Sequence, residues 1–547
     1  MNSKNITTSS NFTNVTLKHG GKLEGEEIRG QITGNSYLSW KGIPYAEPPI
    51  ERLRFKAPVP HKGWSGTRDA TKHGHICIQH IPGQQSHVVG DEDCLYMNVY
   101  TPKLRAKNEP YPVMVWIHGG AFTFGSGNSE TFNPELFVNE DVIVVTLNYR
   151  LGVLGFLSTE DQNAQGNYGL KDILLAGEWI KNNIDIFGGD PNQITYFGES
   201  GGAMMIHDLL ISPLGKGLFQ RAIMQSGTSL SPLFLQDRPL EKATELAKRL
   251  NLKYKSSKEL VEELLRVDAT ILAQNVPSWM QKEIPQGKLP LSFCPTIEPE
   301  DSLEPRLLTE HPLKTLLKNE YTKIPMLIGV NSEEGLYAVT ELQNEPGLFH
   351  VLNDEPNHLL PPSWNIDPNS STAQEYFQQI QKIYFDNKPI KNVCDYVRFI
   401  SDSQWNYGPY KTTRIQVTQQ TAPIFFNVFS FSGDLSNIKK KRKLMDYEGV
   451  IHGDDVPYLF PMSKYDPPIL KIDNPAFKVR ARMVRLWANF AKHGNPTNNL
   501  DELVDVKWPK VTENDFKYME IGSQLNVKTD PFGDRMKLWW DMDSKFN

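Results

Sequence analysis

The chain has 547 residues, a formal net charge of −6 and a pI near 6.2. This acidic balance argues against nucleic acid as a partner, and no apolar stretch is long enough to span a membrane. Length alone would suggest about three or four domains, yet no linker, repeat or low-complexity tract divides the sequence. The one basic run, residues 439–443, is interpreted as a solvated surface loop.

The first feature that points to chemistry is an apolar run followed by small residues. Residues 112–117 predict a buried strand, and His-Gly-Gly-Ala follows at 118–121. Loops of this kind supply backbone N–H groups that stabilise negative charge on a substrate carbonyl oxygen. Gly120 and Ala121 are therefore the predicted donors of an oxyanion hole. For this loop alone, a tight turn after a core strand is the alternative interpretation.

The second feature is a strand, a sharp turn and a helix in succession. Residues 193–197 predict a strand, residues 198–202 read G-x-S-x-G, and residues 203–210 predict a helix. This context is typical of a nucleophile elbow, in which glycines permit close packing around a strained turn. Ser200 is the predicted nucleophile. The amide of Gly201, at the positive end of the helix, would complete the oxyanion hole.

The remaining catalytic groups are expected downstream, an acid first and then a histidine. A predicted strand at 325–331 is followed by Glu333 and Glu334, which spacing alone does not distinguish. Among 13 histidines, His452 lies after both acids in a glycine-containing segment. Strand-like and helix-like runs alternate between about residues 112 and 230, which predicts an α/β protein with a parallel sheet covered by helices.

Landmarks along nearly the whole chain resemble the type-B carboxylesterase and cholinesterase family, and the pattern is closest to insect carboxylesterases. They lie at residues 42–49, 92–100, 148–152, 187–191 and 487–496. The resemblance implies an α/β-hydrolase fold, with a mostly parallel central sheet covered by helices and long cap insertions. It implies one domain over residues 15–540, after a polar N-terminal extension over residues 1–14. It also implies a serine esterase that needs no metal or organic cofactor.

The resemblance assigns roles to the candidate site residues. It selects Glu334 as the catalytic acid, because the family acid directly precedes a glycine, and it selects His452 as the base. Ser226 matches a serine that hydrogen-bonds the buried acid, with a turn-capping serine as the alternative. Glu199, next to the nucleophile, would favour the imidazolium form of His452, since a nearby anion raises a histidine pKa. A surface position for Glu199 is the alternative.

Two further pairs are implied by the resemblance. Cys77 and Cys94 match a disulfide, which implies an oxidising compartment. Glu92 and Arg150 match a buried structural ion pair.

Four N-x-S/T sequons, which predict a glycoprotein, begin at Asn5, Asn11, Asn14 and Asn369. No apolar signal segment is visible. We therefore expect a cytoplasmic protein for the chain as written, or a secreted protein if its N-terminus is incomplete.

Departures from the family pattern narrow the expected substrate. No Trp lies between Cys77 and Cys94, where cholinesterases use an aromatic to hold a quaternary ammonium, so choline esters are disfavoured. Glu199 stands where juvenile hormone esterases usually carry Gln. Ala121 replaces the commonest Gly and would narrow the pocket, whereas Gly201 replaces the usual Ala and would give space.

The expected function is hydrolysis of small apolar esters by a general, detoxifying insect-type carboxylesterase. Alternatives are a juvenile hormone esterase-like enzyme and an esterase that sequesters esters or organophosphates with slow turnover. An adhesion protein on the same fold is disfavoured, because such proteins lack the nucleophile. The oligomeric state is not predicted.

Overall fold

The computed structural model describes residues 12–81, 88–103, 109–236, 238–275, 293–344, 347–354, 359–360, 367, 369–462, 470–471 and 473–544. Within these residues one large sheet organises the chain, with strand order β1-β2-β3-β7-β9-β8-β12-β13-β14-β15-β16-β17 and β4 beside β2. The strands of the described residues are β1 (Phe12–Thr16), β2 (Lys22–Arg29), β3 (Ser36–Pro44), β4 (Thr67–Asp69), β5 (Gln79–His80), β6 (Val88–Val89), β7 (Tyr96–Pro102), β8 (Tyr111–Ile117), β9 (Ile143–Leu147), β10 (Ser158–Asp161), β11 (Ala164–Gln165), β12 (Gly189–Glu199), β13 (Arg221–Gln225), β14 (Met326–Asn331), β15 (Ile424–Phe429), β16 (Lys517–Ile521) and β17 (Leu525–Thr529).

The middle of the sheet is parallel and its margins are antiparallel. From β9 through β8, β12, β13, β14 and β15 to β16, every neighbouring pair runs parallel. Every residue of β9, β14 and β15 is buried, as expected for parallel strands covered on both faces. The predicted α/β class with a mostly parallel sheet is confirmed.

Helices cover both faces of this sheet. Their bounds among the described residues are α1 (Glu135–Asn139), α2 (Gly152–Phe156), α3 (Tyr168–Asn183), α4 (Gly201–Ile211), α5 (Pro239–Arg249), α6 (Ser257–Arg266), α7 (Ala269–Gln274), α8 (Pro312–Lys318), α9 (Tyr337–Asn344), α10 (Leu348–Asp354), α11 (Ser371–Phe385), α12 (Val393–Ile400), α13 (Tyr407–Gln419), α14 (Asn437–Lys441), α15 (Pro475–His493) and α16 (Asp534–Asp543). Among these helices, none is both long and apolar enough to cross a membrane.

The boundaries of α15 follow from its sequence. The Asn474 side chain accepts a hydrogen bond from Ala476 N at 2.9 Å, which caps the first turn. Pro475 occupies the first helical position, where its missing N–H is not needed. Gly494, at φ 68°, ends the helix in the left-handed conformation that glycine adopts without strain.

The carboxyl ends of neighbouring parallel strands bring the candidate residues to one edge of the sheet. This is the edge where open α/β sheets bind their ligands. The oxyanion loop follows β8, Ser200 follows β12, Ser226 follows β13, and the two acids follow β14. Residues up to 216 positions apart in sequence meet in this way, because β8, β12, β13 and β14 are consecutive in the sheet (118 to 334).

The Cys77–Cys94 disulfide is present and joins residues 17 positions apart, with a Cα–Cα distance of 4.9 Å. The disulfide joins the chain at Cys77, just before β5, to Cys94, just before β7. The predicted domain start at residue 15 lies inside β1. Of the sequons, Asn14 is exposed on β1 and Asn369 is exposed in a turn, whereas Asn5 and Asn11 lie outside the described residues.

The structure corrects the predicted Glu92–Arg150 ion pair. Glu92 pairs instead with Arg54, whose Nε lies 2.6 Å from Glu92 Oε1. Arg150 pairs with Asp172 of α3 through Nε–Oδ2 at 2.8 Å and Nη2–Oδ1 at 2.7 Å. Since Arg150 Nη1 also donates to Lys56 O at 2.8 Å, its guanidinium is already satisfied without Glu92.

The basic run is likewise only partly a solvated surface. Lys439 is 1% exposed. Its ammonium donates to Gly449 O at 2.8 Å and Ser432 Oγ at 3.2 Å, so this lysine ties α14 to the segment before His452. Lys440, Lys441 and Lys443 are exposed, as expected.

Candidate active site

Ser200 sits at a strained turn between β12 and α4. Its φ of 55° and ψ of −127° lie outside the regions that L-residues prefer, which is a strain typical of functional sites. A Cβ on Gly198 would lie 2.6 Å from Ile117 O, and one on Gly202 would lie 2.1 Å from the same atom. The turn therefore requires glycine on both sides. Ser200 N donates to Gln225 O at 2.8 Å, which fixes the turn against β13.

A chain of hydrogen bonds connects Ser200, His452 and Glu334. Ser200 Oγ lies 2.9 Å from His452 Nε2, and His452 Nδ1 lies 2.7 Å from Glu334 Oε2. The backbone adds a further link, because His452 N donates to Glu334 O at 3.2 Å. Residues separated by 252 positions are thus aligned for proton transfer from a hydroxyl to an imidazole held by a carboxylate.

The carboxylate of Glu334 is fully buried and well hydrogen-bonded. Its Oε1 accepts from Ser226 Oγ at 2.6 Å and from Asn331 N at 2.6 Å, while Oε2 faces His452. Three donors offset the loss of hydration that burial imposes on a charge. The neighbouring Glu333 turns away toward Ser401, with Oε2 3.5 Å from Ser401 Oγ. Burial raises the pKa of Glu333 to about 7.

Glu199 lies on the opposite side of the same imidazole. Its side chain is 10% exposed, and Oε1 lies 3.1 Å from His452 Nε2 without the alignment of a hydrogen bond. Burial raises the pKa of this carboxyl, although the nearby His452 opposes the rise. Burial alone would lower the pKa of His452, but the negative charges of Glu199, Glu334 and Asp455 outweigh it and raise that pKa.

The loop after β8 presents unengaged backbone amides near Ser200. Gly120 has a φ of 109°, and a Cβ there would lie 1.9 Å from Phe124 O, so only glycine fits. Ala121 also has a positive φ, of 51°. Within the described part of the chain, no oxygen accepts a hydrogen bond from the N–H of Gly120, Ala121 or Gly201. These amides are therefore free to bind an anionic oxygen.

His118 and Gln79 hold this loop in place. The His118 imidazole is stacked on Tyr149 at 4.4 Å, and Nδ1 lies 2.8 Å from Gly119 O. Burial lowers the pKa of His118 to about 4, so the ring is neutral and its Nδ1–H can donate to that carbonyl. Gln79, two residues after Cys77, donates to Gly125 O at 2.9 Å and accepts from Gly125 N at 2.8 Å. The disulfide-bonded segment thus braces the loop.

The position of Gly201 offers less room than its missing side chain suggests. The ring of Phe122 lies 3.1 Å from the place where a Cβ on Gly201 would be. Phe122 in turn contacts Phe156 and Phe234, with ring centroids 5.6 and 6.4 Å away. An aromatic cluster, rather than open space, therefore faces Gly201.

Asn331 and Trp405 are among the residues near the triad that were not predicted from the sequence. Asn331 binds Glu334 through its backbone and Asp455 through its side chain, at 3.2 Å from Oδ1. Trp405 stacks against His452, with ring centroids 3.7 Å apart and 30° between the planes. Neither has a local sequence signal, since one ends a strand and the other lies in a polar stretch.

A family model described as "Carboxylesterase family" matches residues 11–539. The chain belongs to the carboxylesterase family. As a member of it, the protein is a carboxylic ester hydrolase. The predicted resemblance to type-B carboxylesterases, and to their insect members in particular, is confirmed.

Individual relatives span almost the whole chain. "Juvenile hormone esterase" of Tribolium castaneum is 35% identical over 498 residues, which cover 88% of this chain and 84% of that protein. "Esterase E4" of Myzus persicae is 35% identical over 535 residues, 95% of this chain and 93% of that protein. The structure of juvenile hormone esterase from Manduca sexta with OTFP covalently attached has a TM-score of 0.84, 27% identity and 98% and 99% coverage of the two chains. The predicted α/β-hydrolase fold is thereby confirmed.

Proposed function

We propose that this carboxylesterase cleaves small apolar esters through an acyl-enzyme on Ser200, as a general, detoxifying insect-type enzyme. The observation that carries the proposal is the continuous contact from Ser200 Oγ to His452 at 2.9 Å and from His452 to Glu334 at 2.7 Å. A serine hydroxyl becomes a useful nucleophile only when a positioned base accepts its proton. This geometry supports that role for His452.

In the first half of the reaction, His452 Nε2 takes the Ser200 proton as Oγ attacks the ester carbonyl carbon. Glu334 stabilises the imidazolium that forms, and the amides of Gly120, Ala121 and Gly201 stabilise the oxyanion. His452 then returns the proton to the alcohol oxygen as the carbon–oxygen bond of the ester breaks. The alcohol leaves and the acyl group remains on Ser200.

In the second half, water attacks the acyl carbonyl while His452 accepts one of its protons. Collapse of the second oxyanion breaks the bond to Ser200 Oγ, which regains its proton from His452. The products are the carboxylic acid and the starting enzyme. We assign Ser226 to the orientation of Glu334, and Glu199 to the electrostatic support of the imidazolium.

We further propose that residues 15–540 act as one catalytic domain. One continuous sheet, from β1 to β17, supports this assignment within the described residues. The site residues are distributed across the sheet from the loop after β8 to the segment after β15, so the strands that carry the site belong to that one sheet.

A juvenile hormone esterase-like activity is the second candidate, favoured by similarity to the juvenile hormone esterases of Tribolium castaneum and Manduca sexta. Glu199 disfavours it, because those enzymes usually carry Gln before the nucleophile. Competition between juvenile hormone and p-nitrophenyl butyrate would separate the candidates. A kcat/KM for the hormone far above that for every simple ester would favour the second.

The test of the proposal is stopped-flow hydrolysis of p-nitrophenyl esters from acetate to octanoate. Wild type, Ser200→Ala and the exposed control Ser544→Ala would be compared. We expect sustained turnover in wild type and control, and a loss of roughly 10⁴- to 10⁶-fold in Ser200→Ala. A stoichiometric burst without turnover would favour sequestration of esters. Equal turnover in all three proteins would contradict the proposed nucleophile.

A further inference from the structure

Trp405 lies on an irregular turn that contacts His452 and the backbone next to Glu334. Residues 401–406 form a π-helical turn between α12 and α13. Such turns are rare and frequently occur at functional sites. Ser401, at the start of the turn, accepts a hydrogen bond from Gly335 N at 2.9 Å, directly after Glu334. Trp405, near its end, faces His452.

The indole of Trp405 is itself held rigidly. It is 3% exposed, and its Nε1–H donates to Tyr337 Oη at 3.2 Å. The Tyr337 hydroxyl in turn hydrogen-bonds Gln404 Oε1. Because the indole is fixed on its polar edge, its face is available to the imidazole, 3.7 Å away between centroids.

Trp405 packs against the His452 imidazole, whose charge changes during the proposed reaction. The charged groups that face His452 are Glu199 from β12, Glu334 from the turn after β14, and Asp455 from its own loop. These carboxyl groups act at the nitrogen atoms or through space, whereas Trp405 covers the ring face. An indole face attracts a cation more strongly than a phenyl face does.

We propose that Trp405 is a positioning residue for the esterase reaction, which fixes the plane of the His452 imidazole and stabilises its cationic form by stacking. The inference rests on the proposed function, in which His452 becomes an imidazolium while Ser200 attacks. Without the indole, the ring can rotate away from Ser200 Oγ. A misplacement of about 1 Å can lower a rate by about 100-fold.

The first test needs no substrate. A protonated imidazole in contact with an indole quenches its fluorescence, so wild-type emission should show a step as His452 titrates. The step should vanish in Trp405→Phe, which removes the reporter, and in His452→Gln, which removes the titration. It should persist in Trp508→Phe, a control for a buried Trp that donates to Phe426 O and packs against Phe425. A step that persists in Trp405→Phe would overturn the stacking.

The second test is the pH dependence of ester hydrolysis. Trp405→Leu should lower kcat by about 100-fold with little change in KM. Trp405→Phe keeps an aromatic ring against His452, so it should retain most of kcat. Because a phenyl ring attracts a cation more weakly, the His452 pKa should fall and the acidic limb of kcat/KM should shift to lower pH. Wild-type kcat and an unmoved limb in both variants would overturn the proposal. If wild type itself shows no Ser200-dependent turnover, the proposed function fails, while the fluorescence step still decides the stack.

Discussion

Two glutamates contact one imidazole in this enzyme, and their surroundings differ sharply. Glu334 faces His452 Nδ1 and receives two further hydrogen bonds, from Ser226 Oγ and Asn331 N. Glu199 faces His452 Nε2 beside Ser200, and its Oε1 has no aligned donor among the described residues. Both side chains are buried, at 0% and 10% exposed.

The difference shows how one site gives the same side chain two tasks. Donors around Glu334 stabilise its negative charge and fix its position, as required of a group that orients the base. Glu199 Oε1 has no such donor within the described part of the chain, so burial raises the pKa of this carboxyl, and its contribution depends on its own ionisation. We therefore expect Glu334 to control the size of the rate constant and Glu199 to control its pH dependence.

The largest expected effect is that of Glu334→Gln. This change keeps the shape of the side chain but removes the charge that holds His452 in the correct tautomer, so kcat should fall by about 10³- to 10⁴-fold. Rapid-quench or steady-state kinetics with p-nitrophenyl butyrate measures it, with Glu333→Gln as the matched control. Equal losses in the two variants would mean that the acid had been misassigned.

Loss of a donor to Glu334 should have a smaller effect. Ser226→Ala removes one short hydrogen bond to a buried carboxylate, which contributes about 1.5 to 3 kcal/mol. We expect kcat to fall by about tenfold, or more if the carboxylate moves, with KM nearly constant. Circular dichroism would establish that the variant is folded. An unchanged kcat in a folded variant would show that Asn331 N alone is sufficient.

Glu199→Gln should move the pH profile more than the maximal rate. A negative charge next to His452 raises the histidine pKa, and His452 is active as a base only when neutral. Removing the charge lowers that pKa, so the acidic limb of kcat/KM should shift to lower pH by about one unit. The plateau should fall by no more than about tenfold. A shift toward higher pH would contradict the proposed electrostatic role.

Asp455→Asn should produce the smallest shift in the same direction. Asp455 contributes less than Glu199 to the raised pKa of His452, and it is itself hydrogen-bonded by Gln225 and Asn331. We expect the acidic limb to move to lower pH by a fraction of the Glu199→Gln shift. Profiles of the two variants and their combination, measured with one ester, would rank the carboxyl groups. A larger shift for Asp455→Asn would reverse that order.

The parts of the site carried by local sequence were predictable. The strand, glycine turn and helix around Ser200 form a self-contained unit. The glycines of the motif, Gly198 and Gly202, are required because a Cβ at either position would clash with Ile117 O. The catalytic acid was harder to assign from the sequence, since Glu333 and Glu334 are adjacent. Only tertiary structure shows that one faces His452 and the other Ser401.

The ion pairs and the indole stack could not be obtained from spacing. Glu92 and Arg150 each have a closer partner, Arg54 and Asp172, which come from other elements and satisfy both charges. Trp405 reaches His452 because a π-helical turn redirects it, and no residue pattern marks that turn. Long-range pairing among several chemically equivalent partners is decided by the packing of the whole domain.

The most direct test of Ser200 as the nucleophile is to trap the acyl-enzyme and locate the acyl group. The enzyme would be mixed with excess p-nitrophenyl butyrate, quenched in acid within milliseconds, digested and analysed by mass spectrometry. We expect a butyryl group on the peptide that contains Ser200 and none on that peptide from Ser200→Ala. Turnover in wild type with the acyl group on another residue, or equal labelling of the Ser200→Ala peptide, would contradict this role for Ser200.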